Sequence, residues 1–160
     1  MNNYRDKLLS IPKLRKKVGR FPRQRKVVLC HGCFDLVHPG HILHFEEAKR
    51  WGTYLVVSIT KDQYVRMDKG EGHPYIEESL RALNLAALEM VDFVLIDERP
   101  HPCELLLRLK PDVYVKGKEY RNSSKLMRLE GFVVKQYGGS IKFTSGAVVM
   151  SSTALWSRHE

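Results

Sequence analysis

Short apolar runs alternate with longer mixed segments along this chain. Each run is shorter than a typical helix and rich in branched residues, which favours buried strands. The runs lie at residues 27–30, 54–59, 93–96, 113–115 and, more weakly, 140–143. Because the runs are apolar on both faces and the segments between them can hold helices, they predict an α/β fold in which a parallel sheet lies between layers of helices.

Helix signals fall between these runs. Pro39 suits a first helical turn and Gly52 suits a helix end, so we predict a helix from Pro39 to about residue 51. Residues 75–90 give the clearest helical pattern. Its predicted apolar face consists of Ile76, Leu80, Leu83 and Ala87. Shorter helices are predicted at 104–109, 123–131 and 151–156.

Positive charge is concentrated at the N-terminus. The formal net charge is +9, and residues 1–26 hold ten Lys and Arg residues against one acid, Asp6. Since the whole chain has 27 basic and 18 acidic residues, residues 27–160 hold seventeen of each. We therefore divide the chain into a basic N-terminal helix or arm, residues 1–25, and a domain over residues 26–160. We interpret the arm as a solvated helix, and an arm that binds a polyanion is the alternative.

Composition excludes several classes of protein. A chain of 160 residues that is 43% hydrophobic can build one domain around its own core. It has no apolar stretch near the roughly 20 residues of a membrane span, and its first ten residues do not resemble a signal peptide. Its three cysteines cannot form a complete disulfide framework. We expect a cytoplasmic protein with no membrane partner. Nucleic acid is not the expected partner either, because the basic arm lacks interleaved aromatic residues.

The segment that carries chemistry, residues 31–41, joins the first strand to the first helix. Gly32 and Gly40 would let the backbone approach a triphosphate closely. His38 and His41 are three residues apart, so both can face one anion from the first helical turn. That turn also offers free N–H groups. The glycines, the two histidines and these N–H groups together predict a phosphate site where imidazolium donates to an α-phosphate.

This segment resembles the HxGH signature of the cytidylyltransferase-like nucleotidyltransferases. Residues 32–36 resemble the lead-in Gly-x-Phe-Asp-Leu, and residues 115–120 are similar to the Val-Lys-Gly-Gly-Asp-Tyr loop of heptose-1-phosphate adenylyltransferases. Residues 150–153 resemble the closing Ile-Ser-Thr-Thr, so the likeness covers nearly all of residues 26–156. It implies a Rossmann-like single domain, Mg²⁺ bound with the nucleotide, and a homodimer.

The resemblance also implies roles for individual residues. The catalytic residues would be His38 and His41, at the α-phosphate, and Lys69, which would bind phosphate from a polar loop at residues 67–72. No residue is expected to be a metal ligand of the protein itself. The residues expected to bind nucleotide or phosphate are Gly32, Cys33, Phe34, Asp35, Gly40, Arg81, Lys116, Gly117, Ser151, Ser152 and Thr153.

The implied reaction moves a nucleoside monophosphate from an NTP, ATP or CTP, to a phosphorylated sugar or polyol and releases pyrophosphate. ADP-heptose-type adenylyl transfer is the first hypothesis, and CTP-dependent transfer to glycerol 3-phosphate is the second. Gly146 stands where enzymes of the glycerol phosphate type carry an arginine, which the heptose type also lacks, so this departure favours the heptose type. Lys118 replaces a family glycine and would add a contact to the acceptor or the base. A nucleotide- or nucleic-acid-binding module without catalysis is the alternative of another class. Fusion to a sugar kinase, as in some heptose enzymes, stays open.

The CxxC pair formed by Cys30 and Cys33 suggests two other chemistries. With His38, His41 and His44 nearby, the pair could bind zinc. A second CxxC is absent, however, and the predicted helix begins too late for a thioredoxin-like pair at its N-terminus. We therefore favour neither zinc nor redox chemistry.

Overall fold

The computed structural model describes residues 3–122 and 125–146, without the side chains of residues 125–127. Its centre is a parallel sheet with the strand order β3-β2-β1-β4-β5. The strands are β1 (Val27–Gly32), β2 (Tyr54–Thr60), β3 (Phe93–Asp97), β4 (Val113–Lys116) and β5 (Ser140–Phe143). The predicted α/β class is confirmed, and all five apolar runs form strands of this Rossmann-like sheet.

Helices connect the strands and cover both faces of the sheet. They are α1 (Ile11–Val18), α2 (Pro39–Lys49), α3 (Asp62–Lys69), α4 (Glu78–Ala86), α5 (Cys103–Leu109) and α6 (Lys125–Gln136). Two short 3₁₀ helices lie at Tyr4–Lys7 and Lys118–Tyr120. The predicted helix at 151–156 lies outside the described residues. Among the described residues, no helix has the length and apolar character needed to cross a membrane.

The two faces of the sheet bury separate cores. The first core lies against α2 and α4 and includes Val28, Cys30, Phe45 and Leu85. The second lies against α1, α5 and α6 and includes Leu14, Leu29, Leu106 and Val134. Because successive residues of a strand point to opposite faces, the last residues of each strand reach different sides of the sheet edge.

The N-terminal segment packs against this second core. Leu14 and Val18 of α1 are buried, while the lysines and arginines between them are exposed. Arg23 donates to the carbonyl oxygen of Leu109 at 3.0 Å and pairs with Asp112 at 3.3 Å. The segment is therefore a basic helix with one apolar edge that closes the sheet's second face.

Helix α3 was not predicted, and the expected loop at 67–72 is wrong in its first half. Residues 67–69 form the last turn of this helix, and only Val65 of α3 is buried. A side chain of α4 caps the N-terminus of α3: the Glu78 carboxylate accepts a hydrogen bond from the backbone N–H of Asp62 at 2.7 Å. A helix of eight residues that is mostly polar and buries one side chain is easily read from the sequence as a loop.

The predicted helix at 75–90 exists as the shorter α4, but its predicted apolar face is wrong. Leu80 is 50% exposed. The buried residues of α4 are Arg81, Ala82, Leu85 and Ala86. A fully buried arginine on this face hid the true stripe, because a hydrophobicity pattern places arginine outside.

Candidate active site

A cavity of about 330 Å³ opens at the carboxyl ends of β1 and β4. Chain order reverses here, since β1 is followed by β2 on one side while β4 pairs with β1 on the other. Ligands of open parallel sheets bind at such switch points. The cavity is lined by the end of β1, the first turns of α2, the end of β4 and the segment after β5.

The two histidines of the HxGH segment form one wall. Their ring centroids lie 3.7 Å apart, with the planes inclined by 25°, so His38 and His41 stack on each other. His38 is the N-cap residue of α2 in an extended conformation, and Pro39 begins the helix. Both rings line the cavity at the helix N-terminus, as the sequence predicts.

Phe34 fixes the position of this pair. Its ring meets His41 edge-on at 5.1 Å and also contacts Phe45 of the core. Its φ is 49°, in the left-handed region that is unusual for an aromatic residue. A Cβ atom at Gly32 would lie 3.0 Å from the Phe34 ring, so this glycine allows the close approach.

Both histidines favour the neutral form in this structure. Burial lowers the pKa of His41 to about 3, and the neighbouring His38 and His44 add to the effect. Burial also lowers the pKa of His38. The prediction of imidazolium donors therefore needs correction, because burial keeps both rings neutral near pH 7. A neutral imidazole still has one N–H to donate, and a bound polyanion would favour protonation.

Sequence analysis did not assign His44 and Glu47, which also line the cavity. The Nδ1 atom of His44 lies 2.9 Å from the hydroxyl of Thr144. The Glu47 carboxylate accepts from both the N–H and the hydroxyl of Ser145 at 2.9 Å. The helix thus ties the chain after β5 to the cavity. Spacing was an available signal, since residues 38, 41, 44 and 47 follow one another at intervals of three, which makes successive side chains neighbours on a helix surface.

His31 was also unassigned and ends β1 inside the cavity. Its Nδ1 atom lies 2.8 Å from the hydroxyl of Ser58 on the neighbouring strand. Burial lowers its pKa to about 3, with Lys116 contributing. This histidine is therefore a neutral polar group of the cavity floor, and its strand position alone does not distinguish it from a buried core residue.

Asp35 and Lys69 line the cavity from two connected segments. The Asp35 carboxylate is buried and accepts from the backbone N–H groups of Tyr75 and Ile76, both at 2.9 Å. These bonds hold the segment between α3 and α4. Lys69 is the last residue of α3, so the anchored segment directly follows it. Asp35 thus positions the wall that carries Lys69.

The end of β4 forms the opposite wall. The Lys116 ammonium lies 4.5 Å from the centroid of the Tyr120 ring, at the cavity surface. Gly117 also lines the cavity, and a Cβ atom there would lie 2.1 Å from the Glu119 carboxylate. Only glycine therefore leaves the Glu119 side chain in its present place.

Arg81 does not reach the cavity, in contrast to its predicted phosphate-binding role. It is fully buried, and its guanidinium donates to the carbonyl oxygens of Ile76, Cys33 and Thr60 at 2.9, 2.5 and 2.8 Å. It also pairs with Asp62 at 2.6 Å. With these donors engaged inside the protein, Arg81 joins the motif loop, β2 and α4.

The structure brings most of the predicted site residues together. Those that line the cavity are Gly32, Cys33, Phe34, Asp35, His38, Gly40, His41, Lys69, Lys116 and Gly117. Ser151, Ser152 and Thr153 lie outside the described residues.

The cysteines do not form a zinc site within the described part of the chain. No group of three His, Cys, Asp or Glu side chains there could hold a metal ion. Cys30 is fully buried in the first core, and burial raises the pKa of its thiol well above the ordinary value. Cys33 lines the cavity, and burial raises its thiol pKa as well.

A model of the cytidylyltransferase-like family matches residues 29–155, most of the chain. The chain belongs to the cytidylyltransferase-like family. It is therefore a nucleotidyltransferase, and the match spans the HxGH segment and the β4 loop that carry the resemblance.

Curated relatives of this nucleotidyltransferase include two bifunctional HldE proteins. The HldE protein of Magnetococcus marinus is 36% identical over 154 residues, which are 96% of this chain and 31% of that protein. That of Geobacter metallireducens is 40% identical over 133 residues, 83% of this chain and 26% of that protein. The chain thus spans about a third or less of the length of these relatives.

Solved structures share the fold. A lipopolysaccharide core biosynthesis protein of Thermoplasma volcanium superimposes with a TM-score of 0.63 at 24% identity, covering 75% of this chain and 97% of that one. A pantoate-beta-alanine ligase of Francisella tularensis gives 0.60 at 18% identity, covering 86% and 66%. At these identities the likeness concerns the fold alone.

Proposed function

We propose that this nucleotidyltransferase transfers AMP from ATP to a heptose 1-phosphate and releases pyrophosphate. The observation that carries the proposal is the stacked pair of His38 and His41 at a helix N-terminus in the switch-point cavity. Lys69 and Lys116 add positive charge to two other walls. Such a cavity suits a polyphosphate, and the similarity to the HldE proteins supports adenylyl transfer to a heptose 1-phosphate.

The reaction needs little acid–base chemistry. A phosphate oxygen of the acceptor bonds to the α-phosphorus, the bond from that phosphorus to the bridging oxygen breaks, and the electron pair leaves with pyrophosphate. The acceptor phosphate is already largely deprotonated near neutral pH, since its second pKa is about 6. The protein's task is to hold two polyanions in line and to neutralise charge as it moves to the leaving group. His38 and His41 would donate to the α-phosphate oxygens.

We infer that Mg²⁺ enters with the nucleotide. Mg²⁺ usually binds through substrate phosphates and one or two carboxylates, and Glu47 and Glu119 are carboxylates at the cavity that suit this role. When bound, it would neutralise negative charge on the triphosphate.

The segment after β5 favours the heptose type over the glycerol phosphate type. Gly146, at the position of the arginine in the second type, has a φ of 61°. A Cβ atom there would lie 2.7 Å from Cε of Lys118. An arginine would therefore be strained at residue 146, and the Lys118 side chain would have to move.

The test is pyrophosphate release from four NTPs, each paired with heptose 1-phosphate, glycerol 3-phosphate and a panel of other sugar phosphates. ATP with heptose 1-phosphate should give the highest kcat/KM. Highest activity with CTP and glycerol 3-phosphate would replace the proposal with the second type. Binding of RNA or DNA without turnover would favour a non-catalytic module.

His41→Ala should lower kcat by about 10²–10³ if the ring stabilises developing charge as other preorganised donors do. His101→Ala is the matched control, because His101 is exposed outside the cavity. Near-normal turnover of His41→Ala would contradict the role assigned to the ring.

We also infer a cytoplasmic homodimer. The free cysteines, one of them buried, suit a reducing compartment, and dimers are implied by the family resemblance. Light scattering of the purified chain tests the dimer, and a monomer at assay concentration would exclude it.

A further inference from the structure

A buried carboxylate lies directly behind the cavity wall formed by β4. Glu130, on α6, is 1% exposed, and its Oε2 atom lies 3.6 Å from the ammonium of Lys116. The same oxygen accepts a hydrogen bond from the hydroxyl of fully buried Tyr114 at 2.9 Å. An ionised carboxylate out of water requires such partners, because desolvation otherwise favours its neutral form.

Lys116 needs this arrangement as much as Glu130 does. Its side chain is only 10% exposed, yet its ammonium reaches the cavity surface and lies over the Tyr120 ring. A lysine this buried would lose its charge or turn to solvent without an opposing carboxylate. The ring on one side and the carboxylate on the other restrict the ammonium to one place.

We propose that Glu130 is a positioning residue that holds Lys116 charged and directed at a phosphate of the bound nucleotide. The inference rests on the proposed function for the ligand class, but the contacts belong to the protein alone. Glu130 reaches the reaction only through Lys116, and the Tyr114 hydroxyl, two residues before Lys116 on the same strand, fixes the carboxylate.

Other groups face Lys116 and bear on its charge. They are Glu130 from α6, Tyr114 from β4, Tyr120 from the 3₁₀ helix after it, Cys30 and His31 from β1, and His44 from α2. Glu130 is the carboxylate that contacts the ammonium among these groups. Removing its charge should therefore take away the carboxylate contact that holds the Lys116 ammonium in place.

The deciding variant is Glu130→Gln, which keeps the size of the side chain and an acceptor for the Tyr114 hydroxyl. Nucleotide KM should rise about tenfold, as expected for the loss of one well-placed charged contact, and kcat should change less. Glu130→Asp should restore part of the effect. Glu104→Gln is the matched control, because Glu104 makes only exposed ion pairs on α5, with Arg99 and Arg108.

A double-mutant cycle separates positioning from a merely structural role. If Glu130 acts through Lys116, then adding Glu130→Gln to Lys116→Gln should cause no further rise in nucleotide KM. Additive effects of the two substitutions would overturn the proposal. So would a Glu130→Gln protein that loses stability in urea but keeps the wild-type KM.

Calorimetric titration with ATP and with CTP, each with Mg²⁺, keeps the test independent of turnover. If the wild-type chain turns over no substrate pair, the proposed function fails. A tenfold weaker nucleotide affinity in Glu130→Gln would then still support the positioning role, and equal affinity would overturn it.

Discussion

The buried guanidinium of Arg81 should contribute more to stability than to ligand binding. It makes three hydrogen bonds to backbone carbonyl oxygens and one ion pair to Asp62. In Arg81→Met those carbonyls lose their charged donor, and each buried acceptor left unpaired costs about 1–3 kcal/mol. Asp62 is 17% exposed and can recover some hydration, so relaxation reduces the total. We expect a loss of about 3–5 kcal/mol in the free energy of unfolding.

Urea unfolding measures this loss. With a slope of about 2 kcal/mol per M, the midpoint of Arg81→Met should fall by roughly 1.5–2.5 M. Arg81→Lys should recover part of it, since an ammonium cannot reach all four acceptors at once. Arg108→Met is the matched control, because Arg108 is half-exposed and its ion pair within the described residues is with Glu104, and it should change stability by about 0.5 kcal/mol or less.

Nucleotide affinity supplies the result that would refute this reasoning. An Arg81→Met protein with a wild-type unfolding midpoint and a strongly raised nucleotide Kd would return Arg81 to the phosphate-binding role that its sequence position suggested. Reduced stability with near-normal affinity of the folded fraction, measured at low temperature, is the expected outcome.

Three further outcomes follow from the same contacts. The folded-state pKa of His41, about 3, is below its unfolded value of 6.5, so protonation of this histidine favours the unfolded state. Its contribution to the free energy of unfolding is therefore complete above pH 6.5 and is lost as pH falls toward 3. The loss from this one histidine is about 1.4 kcal/mol at pH 5.5, and urea titrations at pH 7.5 and 5.5 should find a smaller decrease in His41→Asn than in wild type. Leu14→Ala should lower the free energy of unfolding by about 2–5 kcal/mol, because Leu14 lies on the buried face of α1 and is fully buried. An unchanged midpoint in thermal or urea unfolding would mean that α1 does not pack as described. Glu47→Ala removes both hydrogen bonds to Ser145 and should raise nucleotide KM with little change in the unfolding midpoint. An unchanged KM would show that this contact has no role in nucleotide binding.

Sequence alone located the chemistry better than it assigned the individual contacts. The five strands and the HxGH turn were predicted because apolar runs, glycines and a proline act locally, within a few residues of their own position. Helix α3 escaped detection because it is short and mostly polar, and only one of its residues is buried. The face of α4 was misjudged because Arg81 occupies a core position where arginine is rarely found.

The sequence by itself determined where the five strands lie along the chain and the delivery of two imidazoles to a helix N-terminus, since these depend on spacing along one segment. Only the tertiary structure decided which residues meet from distant segments. Glu130 behind Lys116 and the carbonyls around Arg81 are such cases. The physical reason is that burial and partner choice set the state of a charged side chain, and both are fixed by elements that are far apart in the chain.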